Sequence, residues 1–256
     1  MSAPVFLADP GMLDAVAAGG TYVLEGAEAR HAGVVQRRRA GERVDVADGA
    51  GVRLRCTIAA VEPGRLVLDV VGREDEPGPR VRLVLAQALA KGDRDELAIE
   101  AATEVGVDEV VPWQAARSVV VWRGERAARS RAKWLATVRE ATKQARRAHV
   151  PAVAEPLDTR GLAARAAGVV AAGGRVLVLH EAAAEPLRDV DLPSGAEPAP
   201  EVLVVVGPEG GIADDELAAF EAAGARTVRL GPHVLRTSTA GPVALALLAD
   251  RLGRWG

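Results

Sequence analysis

Apolar and polar residues alternate along two stretches of the first third of the chain. Val52, Leu54, Cys56 and Ile58 are separated by Arg53, Arg55 and Thr57, and Leu66, Leu68 and Val70 repeat the spacing after Pro63-Gly64. A period of two places each apolar set on one face of a half-buried strand, and the Pro-Gly pair between them predicts a hairpin. Cys56 falls on the apolar face and reads as a core residue rather than a reactive thiol. Val44–Val46 runs into the turn pair Asp48-Gly49. Upstream, Thr21–Gly26 is followed by Ala27–Arg39, a short helical stretch carrying several arginines. Together these elements predict a small β-barrel-like first domain.

Glu74-Asp75-Glu76-Pro77-Gly78-Pro79 is polar and rich in Pro and Gly, and it marks a linker between residues 1–74 and 75–256. Beyond it the period changes. Val81–Ala88 is an unbroken apolar run of strand length. Asp93-x-x-Glu96 has the spacing of a capping box, and behind it Leu97, Ala98, Ala101, Ala102 and Val105 form a helical stripe. A strand Val107–Trp113 and a helix Ala128–Ala148 follow, the helix ended by Pro151. On it Trp134, Val138, Ala141 and Ala145 lie opposite Arg139, Lys143, Arg146 and Arg147. Helices at Leu162–Ala172, Asp214–Ala223 and Thr239–Leu252 alternate with strands at Arg175–His180, Val202–Val206 and Thr227–Leu230. Such alternation predicts an α/β domain with a largely parallel sheet. Leu192–Pro200 reads as a surface loop.

Composition narrows the class. Of 256 residues, 49% are hydrophobic and 26% charged, as in a globular protein. A single cysteine excludes an internal disulfide. The N-terminus has no signal-peptide pattern and no apolar run reaches the length of a membrane span, so the expected location is the cytoplasm. The net charge is −3, but its distribution is uneven. Residues 117–147 hold ten Arg/Lys against two Glu, a local +8, and residues 30–43 hold five Arg against one Glu, a local +4. Segregation of this kind fits either solvated faces or surfaces for a polyanion.

Much chemistry is absent. There is no P-loop, no G-x-G-x-x-G after a first strand and no G-x-S-x-G elbow. His31, His149, His180 and His233 are scattered, and no Cys/His cluster suggests a metal. Two glycine-bearing segments remain. Gly207-Pro208-Glu209-Gly210-Gly211 follows the strand Val202–Val206, and Leu230-Gly231-Pro232 leads into His233-Val234-Leu235-Arg236-Thr237-Ser238-Thr239-Ala240. Both lie at carboxyl ends of expected parallel strands, where open α/β sheets place ligands. Each could also be a plain turn or a helix cap.

These two motifs in tandem resemble the RsmE family, the ribosomal RNA uridine N3-methyltransferases of the SPOUT superfamily. Gln87-x3-Lys91-Gly92-x3-Glu96, Glu104-x-Gly106-Val107, Arg117-Ser118-Val119-Val120 and Arg139-Glu140-Ala141-x2-Gln144 through Pro151 are similar to the family in order and spacing. The stretch His31 to Arg38 resembles its N-terminal RNA-contacting segment. The resemblance implies a PUA-like β-barrel domain, a SPOUT domain with a C-terminal trefoil knot, S-adenosylmethionine as methyl donor, a homodimer, and 16S ribosomal RNA or the 30S subunit as partner, with no metal and no membrane. Donor-binding positions would be Leu179, Glu181, Gly207, Glu209, Gly211, Leu230, Gly231, Leu235, Thr237, Thr239 and Ala240. Arg236 would be the catalytic cation. RNA would meet Arg30, His31, Arg37, Arg38, Lys91, Arg117, Arg139, Lys143, Arg146 and Arg147. Ser238 stands where the family usually carries Glu, and His233 where it usually carries Arg. Another SPOUT RNA methyltransferase, or an inert RNA-binding assembly factor, are the competing readings.

Overall fold

The structure, a computed structural model, describes residues 3–195 and 197–255. Met1, Ser2, Gly256 and Ala196 of the Leu192–Pro200 loop lie outside the described residues. The chain forms two compact units. The first comprises the described residues up to Gly78 together with Thr142–Val150, and the second comprises Pro79–Ala141 and the described residues from Pro151 onward.

The first unit contains β1 (Val5–Leu7), β2 (Thr21–Glu25), α1 (Gly26–Arg30), a π-helical turn His31–Val35, β3 (Arg43–Ala47), β4 (Val52–Glu62) and β5 (Arg65–Asp75). Its five strands form one sheet in the order β1-β3-β4-β5-β2, with β1 parallel to β3 and the other pairs antiparallel. The expected hairpin is β4–β5. Two register shifts in it, at Arg55/Cys56 and Ile58/Ala60, bend the pair. Phe6, Leu24, Val44, Val46, Leu54, Cys56, Ile58, Leu66 and Leu68 build the core. Burial pushes the Cys56 thiol up to about 12, helped by the negative charges of Asp45 and Asp69, so it stays protonated and inert.

The first unit is discontinuous in sequence. Thr142–Val150 joins the first unit through specific contacts. Val150 N–H donates to Gly49 O (2.9 Å), Arg53 Nη2 donates to Arg146 O (2.7 Å), and Lys143 Nζ pairs with Glu28 Oε1 (3.0 Å). Gly51 sits at φ +117°, where a Cβ would meet Glu76 O at 2.6 Å and the His149 ring at 2.8 Å. Only glycine allows that approach.

The second unit holds β6 (Arg82–Ala88), α2 (Arg94–Glu104), β7 (Glu109–Gln114), α3 (Gly124–Ala145, whose last turn counts with the first unit), β8 (Ala152–Val153), β9 (Leu157–Asp158) and α4 (Thr159–Ala171). It continues with β10 (Arg175–Leu179), a 3₁₀ turn Leu187–Asp189, β11 (Glu201–Val206), α5 (Asp214–Ala222), β12 (Arg226–Val228) and α6 (Thr237–Arg251). Its seven strands pair in parallel throughout, in the order β12-β10-β11-β6-β7-β8, with β9 also on β7. Alternate residues of the central strands face opposite ways. Val84, Ala86, Val111, Trp113, Leu203 and Val205 pack with Leu162, Ala166 and Phe220 of α4 and α5. On the other face α6 comes so close that a Cβ at Gly241 would lie 3.0 Å from Leu85 Cδ1. At the amino ends of the strands, Arg165 and Arg82 bridge Glu109 and Glu201. Burial opposes ionisation of Glu109, but the two guanidiniums outweigh it and hold the carboxyl below its ordinary range.

Two local expectations are corrected. Asp93-x-x-Glu96 is not a capping box. Asp93 has φ +60° and its side chain caps nothing, while Lys133 Nζ pairs with Glu96 (2.6 Å) and Asp93 (3.5 Å). The third helix ends at Ala145 rather than Ala148. Arg146 turns left-handed at φ +57°, and Arg147 N–H donates to Thr142 O. This is a Schellman-type stop with Arg in the usual place of Gly, so Arg146 and Arg147 leave the helical period.

Candidate active site

At the carboxyl ends of β10 and β11 the second unit opens into a cleft of about 620 Å³. The segments that line it are the ones singled out for their glycines. Gly207, Glu209 and Gly211 come from the loop after β11, Leu235, Arg236, Thr237 and Ala240 from the start of α6, and Leu179 and Glu181 from the end of β10. A smaller recess of about 80 Å³ shares Leu179, Glu181, Leu235 and Ala240 with the cleft and adds Leu230 and Gly231. Thr239 lines neither; its amide caps back onto Arg236 O at 2.8 Å.

Packing explains the glycines. A Cβ on Gly207 would lie 2.6 Å from Ile212 Cγ1, so the loop can fold back only with glycine there. Gly211 has φ +74°. Leu179, Val206, Ile212, Leu235 and Ala240 give the cleft apolar walls, while Glu181, Asp214, Arg94 and Arg117 supply charge.

Beneath the cleft lies a hydrogen-bond relay. Gln87 is fully buried at the end of β6; its Nε2 donates to Thr237 Oγ1 (2.8 Å), and that hydroxyl donates to Gly207 O (2.8 Å). Only this amide orientation lets Thr237 accept and donate at once. Gln87 Oε1 has no hydrogen-bond partner among the described residues. Arg236, the N-terminal flanking residue of α6, is exposed at the cleft, and its guanidinium makes no hydrogen bond or ion pair among the described residues. A capping salt bridge is therefore not its role.

Glu209 is a strap rather than a free carboxylate. It accepts from Arg94 Nη1 (2.8 Å) and from the Lys91 amide (3.2 Å), joining the loop before α2 to the glycine loop. Partial burial resists its ionisation, but hydrogen bonds from its own amide, Arg94 and Lys91 outweigh that and keep its carboxyl below the ordinary range. Its lowered carboxyl means the strap is complete at neutral pH and is lost only as pH falls through that depressed value. Glu209→Ala should weaken ligand binding in the cleft several-fold at pH 7. The gap in affinity between parent and variant, followed by calorimetry, should persist from pH 7 down through the ordinary carboxylate range; a gap that starts to close near pH 6 would contradict the strap.

The other expected residues are dispersed. Arg117 reaches into the cleft, its Nη1 donating to Gly210 O at 3.1 Å. Lys91 contributes its backbone amide. Arg139 lies on α3. Arg30, His31, Arg37 and Arg38 belong to the first unit, where Arg38 pairs with Glu42 (3.2 Å) and His31 meets Gln36 (3.0 Å). Lys143 is spent on Glu28, and Arg146 and Arg147 sit past the helix end. Arg94, His180 and Asp214 also line the cleft without having been anticipated. Arg94 was hidden inside the apparent capping box.

Comparison with known proteins identifies the family. Residues 76–249 match the family model of the RNA methyltransferase domain. A Mycobacterium bovis protein named ribosomal RNA small subunit methyltransferase E is 46% identical over 93% of this chain and 89% of its own length. The chain belongs to the RsmE family of RNA methyltransferases. The Bacillus subtilis RsmE is 30% identical over 90% of both chains. The RsmE structure from Neisseria gonorrhoeae, bound to S-adenosyl methionine, superposes with a TM-score of 0.83 at 27% identity, covering 98% of each chain. A Legionella pneumophila methyltransferase structure holding the same cofactor gives a TM-score of 0.82, also at 27% identity and 98% coverage. RsmE membership makes this chain a methyl-transferring enzyme that acts on RNA.

Proposed function

We propose that this chain methylates N3 of a specific uridine in 16S ribosomal RNA, with S-adenosylmethionine as donor. The observation that carries the reading is the juxtaposition of the two glycine-bearing segments at the cleft and its recess with an Arg236 that has no partner among the described residues. The residues fit the donor. Leu179, Val206, Ile212 and Leu235 offer adenine an apolar slot, glycines admit a ligand against backbone, and Glu181 and Asp214 bring negative charge to a cationic molecule. When bound, the donor supplies an activated methyl group.

Uracil N3 becomes nucleophilic only on losing its imide proton, and the charge then spreads to O2 and O4. A guanidinium can meet that charge with paired N–H donors. Arg236, exposed in the cleft lining, is the residue assigned this role. Ser238 offers no carboxylate, so the imide proton leaves to solvent, and lowering the cost of the anion falls on Arg236 rather than on a base at that position. The test is digestion and mass mapping of unmodified 16S rRNA incubated with protein and donor. N3-methyluridine at one position supports the reading, whereas a 2′-O-methyl product would favour another SPOUT chemistry.

The same proposal includes the finer fold, a PUA-like barrel followed by a knotted SPOUT domain. It also includes action on rRNA or the 30S subunit in the cytoplasm. Among the described residues no helix is long and apolar enough to cross a membrane, and no cluster of His, Cys, Asp and Glu could hold a metal. The basic segment of the first unit suits phosphate binding. Val34 and Val35 stand exposed on the π-helical turn beside Arg37, whose φ is +53° and whose side chain makes no ion pair among the described residues. Changing Arg37 and Arg38 together to Ala should leave donor affinity intact and lower the salt slope of RNA binding by about 0.7–0.9 for each phosphate no longer held. An unchanged slope would remove this surface from the RNA path.

A homodimer is proposed on the outer face of α6. Ala240, Ala244 and Leu248 are buried within the unit, but Val243 and Leu247 of the same helix are 36% and 43% exposed, and Leu97 of the adjoining α2 is 54% exposed. A dimeric mass in light scattering at micromolar concentration is expected, and Leu247→Glu should return it to monomer.

A further inference from the structure

A second, larger cavity of about 740 Å³ lies in the same unit, beyond the wall of the donor cleft. Two segments form that wall. In the loop after β7, Arg117 lines the donor cleft while Ala116 and Ser118 line the second cavity; at the start of α5, Asp214 lines the cleft while Asp215 and Glu216 line the cavity.

The cavity is built rather than incidental. Gln114 folds the loop around itself, donating from Nε2 to Val120 O (3.0 Å) and accepting from Trp122 N–H (3.2 Å). Trp122 is fixed in turn by the buried Trp134, ring centroids 5.3 Å apart and edge to face. On the floor, the Glu216 carboxylate is fully engaged by Ala116 N–H (2.8 Å), Ala213 N–H (3.1 Å) and the Thr159 hydroxyl (2.5 Å). Yet Ser118 Oγ is buried without any hydrogen-bond partner among the described residues. A buried hydroxyl left unsatisfied in a cavity wall points to a missing polar partner.

The surroundings identify its kind. Arg123 and Arg160 line the cavity, and Arg126 and Arg129 follow at every third residue along the first turns of α3. None of these four guanidiniums makes a hydrogen bond or ion pair among the described residues. Unpaired cations leading away from an aromatic-walled recess suit a polyanion whose phosphates repeat and whose planar groups can be unstacked. Asp158 and Asp215, also in the lining, would repel a bare anion but accept hydrogen bonds from exocyclic amino groups.

We propose that this cavity is a second RNA subsite. It takes the unstacked base of a nucleotide flanking the methylated uridine, against Trp122 and Ser118, while Arg123, Arg126, Arg129 and Arg160 hold neighbouring phosphates. The inference rests on the reading of RNA as substrate and adds where the strand runs beyond the target. Because Arg117 and Ser118 are adjacent on the shared wall, filling this cavity anchors the RNA directly beside the donor cleft.

Abasic scanning tests it. In an oligonucleotide carrying the target uridine, removing one flanking base should cost the wild-type protein roughly tenfold in affinity, the scale of one base–aromatic stack. Ala163→Leu fills the cavity from α4. It should bind the intact RNA about as weakly as wild type binds the abasic one, show no further penalty from the abasic site, and keep its donor affinity. Arg123→Ala with Arg160→Ala, both exposed and safe for folding, should reduce the salt slope by roughly 0.7 for each phosphate released. A wild-type protein that methylates the RNA with no flanking abasic penalty, or an Ala163→Leu variant that keeps both affinity and penalty, overturns the subsite. So does a double arginine variant with the parent's slope. Failure of the wild type to bind or methylate any RNA would instead overturn the proposed function, and the subsite with it.

Discussion

Arg236→Ala should lower single-turnover methylation by roughly 10²–10³-fold, the scale of removing one preorganised donor from a developing anion. Donor affinity and RNA affinity should stay within about twofold of the parent. The side chain stands exposed at the cleft with no partner among the described residues, so the ground state loses little when it goes. Its charge is required only as N3 gives up its proton, which places the effect in turnover rather than in binding. Two further signs follow from the same physics. The deficit should shrink as pH rises, because solution then helps remove the proton whose loss Arg236 otherwise favours. Arg236→Lys should recover only part of the rate, since an ammonium supplies charge but not paired planar donors. The melting temperature should be unchanged, whereas a helix-capping role would lower it. Normal turnover in Arg236→Ala, or a loss confined to RNA affinity, would reject the assignment.

The elements around this residue were largely legible in the sequence because their signals are local. Strand runs such as Val202–Val206 and the glycine loop behind them need only period and turn chemistry to be read. The structure places β11 at Glu201–Val206 with that loop at its carboxyl end, in the cleft. The misreadings occurred where a distant partner overrides a local pattern. Asp93 and Glu96 carry capping-box spacing, but Lys133, nearly forty positions away, takes both carboxylates. Thr142–Val150 looked like the tail of one helix, yet Gly49, Arg53 and Glu28 draw it into the first unit. Glu209 reads in the sequence as a donor-binding position in a glycine loop, and its partners Arg94 and the Lys91 amide follow from no spacing rule. The resemblance supplied what periodicity could not, including the donor and the role of RNA. It did not reveal the cavity beyond Arg117, which depends on how Gln114 closes the loop over Trp122.

The buried relay under the cleft gives the second large effect. Gln87, Thr237 and Gly207 come from the ends of β6, α6 and β11, and two hydrogen bonds of 2.8 Å link them in one direction. Thr237 directly follows Arg236, so the relay fixes both the glycine loop and the base from which the Arg236 guanidinium projects. Gln87→Leu keeps the volume, removes the relay's first donor and also removes an acceptor, Oε1, that is buried without a partner among the described residues. Leaving such a group unpaired costs about 1–3 kcal/mol, so its removal offsets much of the stability that goes with the hydrogen bond. Melting should therefore move little, while donor Kd rises about tenfold, or about 1.4 kcal/mol, and turnover falls with it. Thr237→Val, which cannot relay, should produce the same loss, and Thr237→Ser should restore most of the function. The two lesions should not add. If Gln87 acts only through Thr237, the double variant should bind the donor no more weakly than either single one, a coupling of about 1.4 kcal/mol and within the range for residues sharing one network. Additive losses would mean that Gln87 serves the sheet and not the site, and parent-like affinity in Gln87→Leu would mean that the glycine loop holds its position without help from below.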